Sequence, residues 1–137
     1  MKRLLSALVT SCLLFSLQAF AQEDWPEPQT QGDATFVSGG IGESERSAME
    51  AMKSDYNLNL LFAAKGTGEF LADVNVRIAD AQGNTVVEAV ADGPFLFARL
   101  KPGNYTVLAE KDGRVLRQNA KVGGGKRASL AFYWPAQ

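Results

Sequence analysis

Residues 92–107 read Asp-Gly-Pro-Phe-Leu-Phe-Ala-Arg-Leu-Lys-Pro-Gly-Asn-Tyr-Thr-Val, and this stretch decides the fold. Phe95 and Phe97 recur at a spacing of two, and Tyr105 and Val107 repeat that spacing after a corner. Side chains two positions apart lie on the same face of a strand. The sequence therefore predicts two strands of a β-sandwich whose aromatic and aliphatic pairs point into one core.

Turn signals separate these strands from each other and from the next one. Pro102 fixes φ at the first corner of a turn, and Gly103 is expected to accept a positive φ at the second. Asp112 and Gly113 stand between two alternating segments. They predict a two-residue hairpin turn with positive φ at both positions.

The rest of the chain after residue 57 has the pattern of short strands. Leu58, Leu60 and Phe62 alternate with polar or less apolar residues, which is typical of a half-buried strand. Six further segments follow at residues 74–79, 86–90, 95–97, 105–111, 114–122 and 129–134. The sequence is therefore mostly β, and we predict an antiparallel sandwich of about seven strands. Residues 35–37 are a short first strand or an extended lead-in.

One helix is predicted before the strands, over residues 43–53. Glu43 and Glu45 lie in its first turn, where acidic side chains complement the helix dipole. Met49 and Met52 belong to its apolar stripe, and two hypotheses account for them. The stripe either packs on the sandwich or forms a methionine-lined surface for a partner protein.

The first 21 residues have the features of a secretory signal peptide. A short basic start precedes an apolar run over 4–17, and Ala19 and Ala21 give the small-x-small pattern before cleavage. The run is too short to span a bilayer, so we expect a periplasmic or secreted protein without membrane insertion. A lipoprotein anchored at Cys12 is the alternative. Residues 22–34 are expected to be a flexible leader, and residues 35–137 the domain.

Composition excludes several classes of function. Cleavage removes Lys2 and Arg3, which lowers the basic residues from 14 to 12 against 15 acidic ones. Such a surface does not attract nucleic acid, whose binding depends on neutralising phosphates. The chain has no histidine, and Cys12 is its one cysteine. We therefore expect no metal, no cofactor and no catalytic residues, and a protein that is not an enzyme.

Four segments of the chain resemble the carboxypeptidase regulatory-like domain. They are residues 72–76, 82–83, 92–97 and 100–107. This resemblance implies a transthyretin-like (prealbumin-like) sandwich, and the glycine-rich turn with its acidic helix is similar to a small exported single-domain bacterial subgroup. Enzymes of that fold use histidines, which are missing here.

The sequence leaves two functions open. The first is a non-enzymatic exported module that binds a periplasmic or envelope protein through a strand edge or through the helix face with Met49 and Met52. The second is a carbohydrate-binding module of the starch-binding type, in which Tyr133 and Trp134 would stack on a glycan. Trp134 is in phase with Phe132, so the sequence allows it to be either core or exposed. Partner, oligomeric state and biological process stay open.

Overall fold

The computed structural model describes residues 25–135, and the predicted signal segment 1–21 lies outside them. The described chain is mostly β, with nine strands, one α-helix and one 3₁₀ turn. In chain order these are β1 (Gln29–Gln31), β2 (Ala34–Gly39), α1 (Glu43–Met52), the 3₁₀ turn (Lys53–Asp55), β3 (Leu58–Ala64), β4 (Val74–Ala79), β5 (Thr85–Ala91), β6 (Phe95–Arg99), β7 (Gly103–Lys111), β8 (Arg114–Val122) and β9 (Ala128–Trp134). The mostly-β sandwich with one N-terminal helix is confirmed.

The strands form two sheets. Sheet A has the order β1-β2-β6-β3-β9, and sheet B has the order β5-β4-β7-β8. The seven segments that the sequence predicts correspond to β3 through β9, and β1 and β2 add a hairpin at one edge of sheet A. Gln29–Gln31 falls inside the predicted flexible leader but forms β1. Its hydrogen bonds to β2 account for this order, since the polar composition alone gives no strand signal.

One pairing departs from the antiparallel pattern. β9 runs parallel to β3, from Leu58 opposite Ala128 to Ala64 opposite Trp134. β8 ends in sheet B, and the loop over residues 123–127 carries the chain across to sheet A. Because β9 then continues alongside β3 in the same direction, the expectation of a wholly antiparallel sandwich was wrong.

The main core lies between the sheets. β4 shows how alternation builds it, since Val74, Val76 and Ile78 are buried and the residues between them are exposed or half-buried. On sheet A the matching inward side chains include Phe62 and Phe132, both fully buried. Their burial is the main source of stability, because removal of apolar surface from water dominates folding.

Phe95 and Phe97 do not enter this core. Leu96 and the alanine two residues later point inward from β6, and Phe97 belongs to a second apolar cluster on the other side of sheet A. Tyr105 and Val107 do lie in the main core. The prediction that both pairs share one core was therefore wrong. β6 is the central strand of a sheet covered on both faces, so both of its faces are apolar.

The corner before β7 also differs from expectation. Gly103 is already the first residue of β7 and does not have a positive φ. The Tyr105 hydroxyl donates a hydrogen bond of 2.6 Å to the carbonyl oxygen of Lys101, which holds this corner. The hairpin after β7 is as predicted, since φ is 51° at Asp112 and 80° at Gly113.

Two side-chain amides each hold both backbone groups of one distant residue. Gln31 donates from Nε2 to the carbonyl of Glu88 at 2.9 Å and accepts from its N–H at 2.9 Å. Asn57 donates from Nδ2 to the carbonyl of Leu100 at 2.7 Å and accepts from its N–H at 2.9 Å. We call this two-bond arrangement an amide clamp. The first clamp joins β1 of sheet A to the edge strand β5 of sheet B.

Candidate binding groove

Helix α1 lies on the outer face of sheet A. Met49 is 1% exposed and packs with Val37, Tyr56 and Phe97. Met52 is half-buried against the same cluster. The helix begins after Gly42, and the Glu45 carboxylate returns to accept a 2.8 Å hydrogen bond from the N–H of Gly40, which fixes its entry. Met49 is thus a packing residue and is not part of an exposed methionine surface.

The helix leaves the β3 and β9 side of this outer face open. The result is a groove of about 530 Å³ between α1 and the sheet. We call it the α1 groove. The wall consists of the helix residues Glu43, Arg46, Met49, Glu50 and Lys53. The floor consists of Asn59, Leu61, Ser129 and Ala131, and Phe95 and Phe97 close one end. The volume is typical of sites that bind small molecules or a short length of chain.

Asn59 is the polar residue at the bottom of the groove. It points away from the main core because Leu58 and Leu60 on either side are directed inward. In the register of sheet A it stands between Phe97 on β6 and Ser129 on β9. The residue is 6% exposed, and among residues 25–135 its Oδ1 has no hydrogen-bond partner. Leaving a buried acceptor unpaired costs about 1–3 kcal/mol.

A row of aromatic rings crosses the outer face next to the groove. The rings are those of Phe70, Phe95, Phe97 and Tyr56, with centroids 5.6, 6.2 and 6.2 Å apart. An arginine stands at each end, Arg46 at 5.8 Å from the ring of Phe70 and Arg99 at 5.9 Å from that of Tyr56. Cation–π contacts of this kind fix the direction of both side chains.

The charges around the groove are balanced. Glu43 and Glu50 face Arg46 and Lys53 along the helix, so the wall carries two acidic and two basic groups. At the far end of the aromatic row, burial raises the pKa of Tyr56 above its ordinary value, and the neighbouring Arg99 opposes this shift. The groove therefore attracts neither anions nor cations and suits an uncharged group.

The two aromatic candidates at the C-terminal end lie on opposite faces of β9. Trp134 is 4% exposed, packs against Phe62 and Phe132, and donates from Nε1 to the carbonyl of Arg114 at 3.0 Å. Tyr133 is 50% exposed on the outer face. The structure thus does not bring Tyr133 and Trp134 together into a stacking platform.

The described residues also lack a recognisable metal site. Within residues 25–135, no group of three or more Asp, Glu, His or Cys side chains is placed to hold an ion. In the same part of the chain, no helix is both long and apolar enough to cross a bilayer.

Sequence reasoning placed Met49 and Met52 on the correct helix face but missed the floor of the groove. Asn59 reads as an ordinary polar residue on the solvent side of an alternating strand. Its burial depends on α1 and β9, which are distant in the chain but close in the fold. The one available signal was the position of Leu61. An apolar residue on the otherwise polar face of β3 indicates that another element packs on that face.

The chain is similar to one known family. Residues 57–132 match the Rhizobiales growth-associated tandem repeat domain, over more than half of the sequence. The protein therefore belongs to this family. No match was found among the curated proteins. The matched segment runs from the start of β3 into β9, so β1, β2 and α1 precede it.

The resemblance to the carboxypeptidase regulatory-like domain was wrong as a family assignment, because the chain matches the growth-associated repeat family instead. The residues that carried the resemblance lie in turns and in alternating strands. Such residues determine a β-sandwich, and unrelated families share them for that physical reason.

Proposed function

We propose that this protein is a non-enzymatic binding module, exported to the periplasm or secreted, that holds an envelope protein in its α1 groove. The observation that carries the proposal is the half-covered outer face of sheet A. Met49 of the helix and Phe97 of the sheet are almost fully buried where α1 packs, and beside them Leu61, Ser129 and Ala131 line an opening. A surface that combines buried apolar side chains with a charged rim is common in partner binding.

The edges of the sheets support binding in the groove over strand addition. On β5 the N–H and carbonyl of Glu88 are both held by the amide of Gln31. On β9 the carbonyl of Ala131 accepts a 2.7 Å hydrogen bond from Nε2 of Gln118. A partner strand needs free backbone groups along an edge, and these contacts already occupy one residue of β5 and one carbonyl of β9. The helix side is the more favourable surface.

The family description supports a role in growth. The family is described as growth-associated and as a tandem repeat domain. A binding module fits that description, since such a domain contributes by bringing proteins together and needs no catalytic group. We extend the association with growth to this chain as part of the proposal.

Site-specific photo-crosslinking tests the proposal in intact cells. Ser129 is exposed on the groove floor, so benzoylphenylalanine placed there reaches an occupant without disturbing the core. We expect one defined crosslinked envelope protein, identified by mass spectrometry. The matched control is the same probe at Asn119, which is exposed on the adjacent strand β8 of sheet B.

The two positions decide the outcome together. A partner captured from position 129 but not from 119 supports the proposal. The same product from both positions, from 119 alone, or from neither would contradict it, because binding would then not depend on the groove.

The carbohydrate-binding alternative loses part of its basis. Trp134 is buried, and Tyr133 alone remains exposed. A single ring supplies little of the stacking area on which glycan binding depends, so no specific observation favours this function over the first.

A further inference from the structure

We propose that Asn59 is an unoccupied amide clamp, which recognises the backbone of an extended peptide segment whose apolar side chain enters the α1 groove. This inference rests on the proposed function and names the chemistry of the partner. Its starting point is the unpaired Oδ1 of Asn59, a residue that is 6% exposed and lines the groove. Buried side-chain amides normally have hydrogen-bond partners, so the unpaired Oδ1 of Asn59 requires an explanation.

The protein already contains two amide clamps, in which a side-chain amide binds both backbone groups of another residue. Gln31 clamps the N–H and carbonyl of Glu88, and Asn57 clamps those of Leu100. In both cases the side-chain NH₂ donates to the backbone carbonyl of one residue, and the side-chain oxygen accepts from the N–H of the same residue. Asn57 stands immediately before β3, and Asn59 lies two positions later, inside that strand.

A peptide group matches these requirements better than other ligand classes. The amide of Asn59 offers a donor and an acceptor side by side, and a residue in extended conformation offers the complementary pair. A hydrocarbon chain could fill the apolar part of the groove but would leave Oδ1 unpaired. A charged ligand finds no net charge in the wall, where Glu43 and Glu50 oppose Arg46 and Lys53.

The neighbours of Asn59 define what the peptide side chain would touch. Leu61 and Ala131 lie opposite each other on the floor, two residues beyond Asn59 and Ser129. Phe95 and Phe97 close the end of the groove. These groups accept an aliphatic side chain of the size of leucine. Because Oδ1 is covered in the free protein, the proposed binding requires the amide to turn about χ2, a torsion that is broad in asparagine.

The test uses two small probes that differ in one donor. The first is acetyl-leucine methylamide, and the second is the depsipeptide in which oxygen replaces the leucine N–H. Both are titrated into the ¹⁵N-labelled mature protein, and NMR shifts are followed at Leu61, Ala131 and the side-chain amide of Asn59. For ligands of this size we expect a Kd on the order of 1 mM.

We expect the wild-type protein to bind the amide probe about tenfold more tightly than the depsipeptide. Asn59→Leu should reduce this ratio to about one while keeping the apolar contact, because it removes both clamp groups at nearly constant volume. The control Asn119→Leu, on the outer face of sheet B, should keep the tenfold ratio. Since the readout is a ratio, modest changes in stability do not affect it.

Several results would overturn the inference. They are equal affinities in the wild type, a ratio that survives in Asn59→Leu, and no shift of groove residues with either probe at about ten times the expected Kd. A partner crosslinked from position 129 in cells, combined with equal probe affinities, would overturn the amide clamp and leave the proposed function standing. If no partner were crosslinked from position 129 but the wild-type protein still preferred the amide probe about tenfold, the proposed function would be overturned and the amide clamp would stand.

Discussion

The outer faces of the two sheets show opposite chemistry, although both come from strands with alternating side chains. On sheet B the outer face carries Arg77, Glu88 and Arg117, which are exposed. On sheet A the corresponding face carries Val37 and Phe97, at 1% and 3% exposure. The first face meets water, and the second meets helix α1.

This difference shows that alternation assigns residues to a common face but does not say how many layers cover it. Sheet B has one covered face, so one set of its alternating residues is polar. Sheet A is covered by sheet B on one side and partly by α1 on the other. The incomplete cover creates the α1 groove, and a residue such as Asn59 becomes buried on what the pattern marks as a solvent face.

The strongest test of the second apolar layer is Phe97→Ala. If the outer face of sheet A is a true core, this change should reduce the free energy of unfolding by about 3–5 kcal/mol. Typical domains have a total of about 5–15 kcal/mol, so the urea midpoint should move substantially. The measurement is equilibrium unfolding in urea, followed by tryptophan fluorescence.

The control for this test lies on the other sheet. Val115 is 55% exposed on the outer face of sheet B, and Val115→Ala should stay within about 0.5 kcal/mol of the wild type. A small effect for Phe97→Ala, comparable to that of Val115→Ala, would show that the two outer faces are alike.

A second test distinguishes the two methionines of α1. Met49 is 1% exposed and Met52 is half-buried, so Met49→Ala should cost about 2–5 kcal/mol and Met52→Ala clearly less. Both variants are compared by thermal and urea unfolding. Equal, small losses would mean that the helix rests only loosely on sheet A and that its methionines are available to a partner.

Much of the strand pattern could be predicted from the sequence because it depends on local signals. Short segments with strand-like composition marked all seven strands from β3 to β9, and Asp112 with Gly113 marked a turn that the structure confirms. The helix was also correct at its first residue, Glu43. These features follow from backbone preferences within a few residues.

The candidate groove could not be predicted in the same way because its parts meet only in the fold. Phe97 was assigned to the main core, since a strand with apolar residues on both faces gives no indication of which pair faces which layer. Asn59 depends on α1 and on a parallel partner strand, β9. Long-range pairing of this kind leaves no local pattern.

A third test exploits the unpaired amide in the second layer. Asn59→Leu should stabilise the free protein by about 1–3 kcal/mol, because an uncompensated buried polar group is replaced by an apolar one of similar size. Asn119→Leu on sheet B should change stability by no more than about 0.5 kcal/mol. Unfolding in urea measures both. A destabilised Asn59→Leu protein would show that the amide is already satisfied and that the outer face is better packed than the groove suggests.

The smallest expected effect is on the pH dependence of stability. The test compares one tyrosine from each apolar layer. Tyr56 lies in the cluster beneath α1, and Tyr105 lies in the main core. Burial raises the pKa of both hydroxyls above the ordinary value of 10.0. The folded protein therefore keeps these protons at a pH at which the unfolded chain releases them.

Stability should consequently be complete below about pH 10 and should decline as the pH rises through the raised pKa of each tyrosine. The measurement is the thermal midpoint between pH 8 and 11.5. Tyr56→Phe and Tyr105→Phe should each flatten this decline, although Tyr105→Phe also loses the hydrogen bond to Lys101 and starts from a lower midpoint. If only Tyr105→Phe flattened the curve, Tyr56 would be accessible to water in the folded state. The layer beneath α1 would then open far more readily than the main core.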